Sequence, residues 1–174
     1  LDGATSLATS VNGLSDALVE NNSIFLGNDP SSSTDNAENS IGIGTTALDA
    51  ITSGDQNVAI GFNSMTDATT GSNNTMVGYR AGKAITNGNN NIGLGYDAIK
   101  GATSGSGNIA IGYGALDVAD TESNNIAIGM DALGGSIAGG EYNLAIGNYV
   151  LDANTSGDYN VALGNQAMSA NTTG

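Results

Sequence analysis

The chain has 174 residues, of which 27 are Gly, one is Pro and none is Cys, His or Trp, and its formal net charge is −14. The lack of Cys and His excludes a disulfide framework, a thiolate metal site and histidine-based general catalysis. Only three residues are basic, which excludes extensive phosphate binding, and no apolar run reaches the roughly 20 residues of a membrane span. We therefore expect no nucleic-acid partner, no membrane span and no cofactor.

The first 22 residues do not repeat. Leu7, Val11, Leu14 and Leu18 follow a 4-3-4 spacing, which is the seam of a coiled coil. This spacing predicts a short helix within residues 1–22, either as the neck of an oligomer or as a cap on the following domain. The polar stretch 28–39 holds the only Pro and predicts a loop.

The rest of the chain, residues 23–174, repeats one unit. The pattern Asn-apolar-x-apolar-Gly recurs every 17 residues, except for one 18-residue step between Asn125 and Asn143. Two earlier units keep the register with Ser23 and Ser40 in place of Asn, so there are nine units. The chain stops on a Thr-Thr-Gly that elsewhere precedes another unit, and we expect it to be an excerpt of a longer polypeptide.

A 17-residue period is too short for helix pairs or propeller blades and suits one coil of a parallel β-solenoid, or β-roll. We predict an all-β fold of nine coils whose strands stack about 4.8 Å apart. Alternate residues of a strand share a face, and we expect the large apolar ones to point inward. The predicted buried columns are Val58, Met76, Ile92, Ile109, Ile126, Leu144 and Val161, and beside them Ile60, Val77, Leu94, Ile111, Ile128, Ile146 and Leu163.

Two polar or small positions recur in the unit. A Gly ends each strand, where a sharp corner needs positive φ: Gly44, Gly61, Gly78, Gly95, Gly112, Gly129, Gly147 and Gly164. The recurrent Asn is predicted to form a hydrogen-bonded stack of Asn57, Asn74, Asn91, Asn108, Asn125, Asn143 and Asn160.

A second apolar column follows the corner and comprises Leu48, Met65, Ile99, Leu116, Leu133, Leu151 and Met168. Each coil of Ile, Val, Ala and Gly buries little by itself. We expect this second column and the N-terminal seam to be buried between three parallel copies of the chain. The sequence thus predicts a homotrimer with its acidic charge outside.

The aromatic and acidic residues offer weaker signals. Phe62, Tyr79, Tyr96 and Tyr113 either stack on sugars or pack at the corner or at a subunit contact, and we favour packing. The acids form no continuous column, which argues against a calcium array, and they select no carboxylate pair for glycoside hydrolysis. Among the 17 acidic residues, those at shifting places in the repeat include Asp49, Asp67, Asp97, Asp117, Asp131, Asp152 and Asp158. We expect a solvated acidic face and no metal site.

The pentapeptides NVAIG, NIAIG and NLAIG resemble the NSVAIG-type repeats of YadA-like heads in trimeric autotransporter adhesins. The longer unit resembles repeats of phage tail fibres and of large bacterial surface proteins. The resemblance covers residues 7–174 and implies a homotrimeric fibre in a virion or on a cell surface. It also implies other fibre or virion proteins, and a host glycan or protein, as partners. The 17-residue period and the Ser at positions 23 and 40 depart from the adhesin pattern.

These observations predict a structural protein, not an enzyme. We expect a shaft or head segment of a phage tail fibre, or of a similar adhesin, that gives reach and display for host attachment. One alternative is a secreted extracellular filament or matrix protein. A further alternative is a solenoid polysaccharide depolymerase.

Overall fold

The computed structural model describes residues 17–27, 36–135 and 140–173. The described residues form one sheet of ten short strands that neighbour each other in chain order. The strands are β1 (Ala17–Glu20), β2 (Ser23–Leu26), β3 (Ile41–Ile43), β4 (Val58–Ile60), β5 (Thr75–Val77), β6 (Ile92–Leu94), β7 (Ile109–Ile111), β8 (Ile126–Ile128), β9 (Leu144–Ile146) and β10 (Val161–Leu163).

In these residues, β2 to β10 pair in parallel and in the register of the repeat. Ile111, for example, pairs with Leu94 on one side and with Ile128 on the other. Backbone hydrogen bonds also join neighbouring coils outside the strands, as from the Ile99 N–H to the Ala115 carbonyl at 3.0 Å. The prediction of an all-β parallel solenoid is confirmed, because strands one repeat apart in sequence are neighbours in space.

The single 18-residue step leaves the sheet undisturbed. Ile126 pairs with Leu144 and Ile128 with Ile146, although the step between them is one residue longer. The connection includes residues 136–139, which lie outside the described residues. An added residue outside the strands does not change which side chains face inward, so the repeat tolerates it.

The N-terminal helix prediction is wrong where the structure describes it. Leu18 lies in β1, which is antiparallel to β2 and pairs Leu18 with Phe25. Asn21 and Asn22 form the hairpin turn with φ of 47° and 59°, values that Asn tolerates well. Pairing with the free edge of β2 outweighs the weak preference of a short helix. The other seam residues, Leu7, Val11 and Leu14, lie outside the described residues, as does most of the predicted loop.

The interior of the solenoid is narrow. The middle residue of each three-residue strand points inward, and in most coils it is Ala or Gly; Ala59, Ala110 and Ala127 are fully buried. Large side chains such as Leu116 and Ile85 reach inward from the opposite wall and are also fully buried. The core therefore packs a small residue of the strand against a large residue of the turn in each coil.

Met76 and Phe25 are the two large residues in the strand column, whose other described members are Ala or Gly. A Cβ added to Gly82, the residue that replaces the usual Leu or Met of the turn, would lie 2.8 Å from Met76 Cγ. A Cβ on Gly93, next along the strand column, would lie 2.5 Å from Met76 Sδ. Phe25 and Gly42 repeat the relation at the N-terminal end, with 2.9 Å between Phe25 Cδ1 and the added Cβ. A large residue in this column thus requires glycines around it.

Each corner depends on left-handed backbone. Gly112 has a φ of 138°, and a Cβ there would overlap the carbonyl oxygen of Gly129 in the next coil. Leu116, four residues later, has a φ of 53° despite its side chain. Such a residue costs about 1–2 kcal/mol in this conformation, and full burial of Leu116 offsets that cost.

Among the described residues, no helix is long and apolar enough to cross a membrane.

Candidate functional site

The outward side of the sheet carries a continuous row of large apolar side chains. Ile60, Ile92 and Ile111 are 36%, 38% and 37% exposed, whereas the Ala between two such residues is buried. We call this surface the apolar sheet face. It consists of Ile24, Leu26, Ile41, Ile43, Val58, Ile60, Thr75, Val77, Ile92, Leu94, Ile109, Ile111, Ile126, Ile128, Leu144, Ile146, Val161 and Leu163.

This arrangement corrects the predicted buried columns. The column of Val58, Ile92 and Ile109 and the column beginning with Ile60 point outward and are half-buried or exposed. Met76 is the exception, because it occupies the inward position and is fully buried. Alternation along a strand shows which residues share a face, but it does not show which face is inside.

The second apolar column, which was predicted to lie between copies of the chain, is instead buried within one chain. Leu48, Met65, Ile99, Leu116, Leu133 and Leu151 are fully buried within a single chain, and only Met168 is exposed, at 40%. These residues are therefore not free to contact another copy of the chain. They fill the space that the small strand residues leave, so the interface role predicted for them is wrong.

The recurrent Asn forms the predicted stack inside the coil. Asn108 is fully buried, and its Oδ1 accepts a hydrogen bond from the Asn125 N–H at 2.9 Å. Its own N–H donates to Asn91 Oδ1 at 2.9 Å, and its Nδ2 donates to the Glu122 carbonyl at 2.8 Å. The side-chain amide of Asn108 therefore bonds to backbone groups on both its oxygen and its nitrogen. In the first coils Ser40 bonds similarly, because its N–H donates to Ser23 Oγ at 2.8 Å.

Four aromatic side chains form a stack beside the apolar sheet face. The ring centroids of Phe62 and Tyr79 are 5.4 Å apart, those of Tyr79 and Tyr96 4.8 Å, and those of Tyr96 and Tyr113 5.1 Å. Interplanar angles of 15°, 13° and 7° make the rings nearly parallel. Ring faces between neighbours are covered, so the stack presents mainly ring edges and hydroxyls to a partner. This geometry favours packing at a corner over stacking on sugars.

All three basic residues of the chain make ion pairs within the chain. Arg80 binds Asp97 through two hydrogen bonds, with Nε 2.8 Å from Oδ1 and Nη2 2.5 Å from Oδ2. Its guanidinium carbon lies 5.0 Å from the centre of the Tyr79 ring. Lys100 bridges Asp97 and Asp117, and Lys83 lies 3.9 Å from Asp67. The two hydrogen bonds between Arg80 and Asp97 join neighbouring coils, as does the ion pair between Lys100 and Asp117.

Asp117 is the perturbed carboxylate of this ion-pair group. Burial raises its pKa above the ordinary value of 3.8, and the hydrogen bond from Lys100 Nζ at 3.3 Å offsets part of that rise. Within the part of the chain that the structure describes, no group of three or more acidic side chains is placed to hold a metal ion. The arrangement does not select a catalytic carboxylate pair.

The apolar sheet face is the candidate site, and its residues were wrongly predicted from the sequence to lie in the interior. The signal was present in the small middle residue of the strand, as in Ala110 between Ile109 and Ile111. A repeat that places Ala or Gly at one strand position predicts a crowded interior there. No protein-family model, curated protein or solved structure was found to match this chain.

Proposed function

We propose that this chain is a structural segment of a homotrimeric fibre, which gives reach and display for attachment to a host. The fibre belongs to a phage tail or virion, or to an adhesin on a cell surface. Its partners are copies of itself, neighbouring fibre proteins and, at the attachment end, a glycan or protein of the host.

The exposure of the apolar sheet face is the observation that carries this proposal. Its strands stack about 4.8 Å apart and are three residues, or about 10 Å, wide, so the face is roughly 40 Å long and has an area on the order of 400 Å². A contiguous apolar patch of this size is among the largest that a soluble monomer exposes, and such patches often mark contact sites. Most of the outward side chains are Ile, Leu or Val, with Thr75 among them. A face of this size and composition is expected to be covered by another protein surface.

Three copies of the chain supply such a cover. A sheet face that is uniform along the solenoid meets identical faces when copies surround a common axis parallel to the solenoid. Because the second apolar column is buried within the chain, this face replaces it as the proposed subunit contact. The chain's net charge of −14 then lies mostly on the outer walls, where it limits sticking between fibres.

A charge placed on the apolar sheet face tests the proposal. Ile111→Lys is expected to dissociate the trimer, because the ammonium group would have to be desolvated at the subunit contact. Val118 is 47% exposed and lies outside the strands, so Val118→Lys is the matched control. Sedimentation velocity should show a monomer for Ile111→Lys and a trimer for Val118→Lys. Unchanged assembly of Ile111→Lys would contradict the proposed contact, and long polydisperse species would favour a filament.

The location of the protein is tested separately. An antibody raised against this segment is expected to label virion fibres or cell surfaces. The measurement is immunogold electron microscopy of the virions or cells that produce the protein. Label confined to the cell interior would contradict a role in attachment.

A further inference from the structure

Two columns of residues flank the apolar sheet face, one at each corner. The leading corner is the residue two positions before the strand, and the trailing corner is the residue two positions after it. From β3 to β10 the leading and trailing residues are Asn39 and Thr45, Gln56 and Phe62, Asn73 and Tyr79, Asn90 and Tyr96, Gly107 and Tyr113, Asn124 and Met130, Tyr142 and Asn148, and Tyr159 and Asn165.

The two corners complement each other rung by rung. From β4 to β8 the large side chain stands at the trailing corner, opposite Asn, Gln or Gly at the leading corner. At β9 and β10 the order reverses, with Tyr142 and Tyr159 leading and Asn148 and Asn165 trailing. No rung from β4 to β10, all of them within the described residues, has a large apolar or aromatic side chain at both corners.

The corner side chains are exposed and partly organised in stacks. Tyr96 is 42% exposed and Tyr113 is 56% exposed at the trailing corner, while Tyr142 is 48% exposed at the leading corner. Tyr142 and Tyr159 stack with centroids 5.0 Å apart and planes 3° from parallel. Exposed side chains therefore border the apolar sheet face along both of its edges. Exposed Tyr is typical of subunit contacts.

Symmetry decides which corners meet. When copies surround an axis parallel to the solenoid, the trailing corner of one copy meets the leading corner of the next at the same height. When two copies pair face to face and antiparallel, each corner meets its own kind and the order of the rungs is inverted. Only the parallel, in-register arrangement places one large side chain against one small or polar residue on every rung from β4 to β10.

We propose that the two corner columns set the register of self-association, with each Tyr or Phe of one copy packing beside the Asn, Gln or Gly of the same rung in its neighbour. This inference rests on the self-association proposed above and adds to it the direction, the register and the residues that meet. The apolar sheet face alone is nearly uniform along its length and would tolerate a slip by one rung. Because the order reverses at β9, a slip by one rung would bring Met130 against Tyr142 at one subunit contact and Asn148 against Asn124 at another. The corners therefore disfavour a slipped register.

A corner swap on one rung tests the inference. Asn90→Tyr places aromatic rings at both corners of the β6 rung and is expected to weaken association about tenfold. Adding Tyr96→Asn restores one large and one polar residue and should recover most of the loss. The repeat itself tolerates both changes, since Tyr142 has a φ of 58° at the same corner position as Asn90, and Asn148 occupies the position of Tyr96. Tyr96→Asn alone is the control for the loss of intrachain stacking.

Cysteine cross-linking measures the contact directly, because the chain has no native Cys. Asn90→Cys with Tyr96→Cys is the matched pair, and Asn90→Cys with Met130→Cys is offset by two rungs, or about 10 Å. A short thiol cross-linker should convert the matched variant into covalent dimers and trimers on denaturing gels and leave the offset variant largely unlinked.

Each outcome has one interpretation. Preferential linkage of the matched pair, together with recovery by the corner swap, supports the inference. A trimer that links matched and offset pairs equally, or that links either single Cys variant with itself, overturns the corner register while leaving the fibre proposal intact. A chain that stays monomeric in the sedimentation measurement overturns both.

Discussion

Replacing Met76 and Gly82 together tests the interior of the solenoid. Met76→Ala removes a fully buried side chain from the strand column, and such a truncation costs about 2–5 kcal/mol. Gly82→Leu alone introduces a Leu whose Cβ would lie 2.8 Å from Met76 Cγ and Sδ, and this overpacking costs about 1–3 kcal/mol. Each single variant is therefore expected to be less stable than the parent chain.

The double variant is expected to recover stability. Met76→Ala with Gly82→Leu recreates the Ala-and-Leu pair seen at Ala110 and Leu116, where the Leu has a φ of 53°. Gly82 already has a φ of 61°, so the backbone needs little change to accept Leu. Burial of Leu contributes about 1.5–3 kcal/mol, offset by about 1–2 kcal/mol for its left-handed backbone.

Chemical unfolding followed by circular dichroism measures this coupling. The double variant should be more stable than the sum of the single effects by at least about 2 kcal/mol, since residues in direct contact couple by amounts of this size. Additive effects would refute the packing described for this coil. A near-neutral Met76→Ala would refute it more strongly. If the strand presented its other face to the interior, Met76 would be exposed, and its truncation would change the stability by less than about 0.5 kcal/mol.

Three further substitutions address the corner, the Asn stack and the ion pairs. Gly112→Val should destabilise the fold by more than about 1 kcal/mol, because its Cβ overlaps the Gly129 carbonyl and its φ is 138°; unfolding identical to the parent would disprove the corner geometry. Asn108→Ala removes the side-chain partner of the Asn125 N–H and of the Glu122 carbonyl and should cost about 1–3 kcal/mol in the same assay, whereas an unchanged stability would show that the Asn stack does not stabilise the fold. Asp117→Asn tests linkage: the raised pKa means that the folded state binds this proton more tightly, so the stability it contributes is present below the ordinary pKa of 3.8 and is lost as pH rises through the raised value. The destabilisation caused by Asp117→Asn should therefore be greater at about pH 3 than at about pH 7, and the opposite trend would contradict the burial of the Asp117 carboxyl.

The repeat made most of the fold predictable. An unvarying Gly such as Gly112 after each strand, with a 17-residue step, requires a corner at a fixed place in each coil. Stacked coils then put Asn91, Asn108 and Asn125 in one column, and the structure joins them by hydrogen bonds. These inferences needed only the period and the backbone freedom of Gly.

The direction of the side chains was not predictable from alternation alone. Ile109 and Ile111 share a face by geometry, but whether that face is inside depends on the space left by the opposite wall. Leu116 takes that space, because its left-handed backbone points the side chain into the coil, where it is fully buried. The small Ala110 fills the interior space that remains, and Ile109 and Ile111 lie on the outward face. The decisive information is three-dimensional packing between two parts of the same coil.

At Leu18, the one seam residue among the described residues, the helix prediction failed for a related reason. The spacing of Leu14 and Leu18 fits a helix, but local spacing carries no information about the free edge of the sheet that follows. Asn21 and Asn22 provide a turn that folds the chain back onto that edge, so Leu18 joins a strand. Edge pairing is a tertiary effect that outweighs a helical preference this weak.

The native mass of the unmodified chain tests the central claim most directly. The claim is that the apolar sheet face is covered by copies of the same chain. Sedimentation equilibrium at micromolar concentration should give three times the chain mass of 17.1 kDa, or about 51 kDa. A single species at 17.1 kDa would show that the exposed Ile, Val and Leu of the sheet remain in contact with water, and it would contradict the claim.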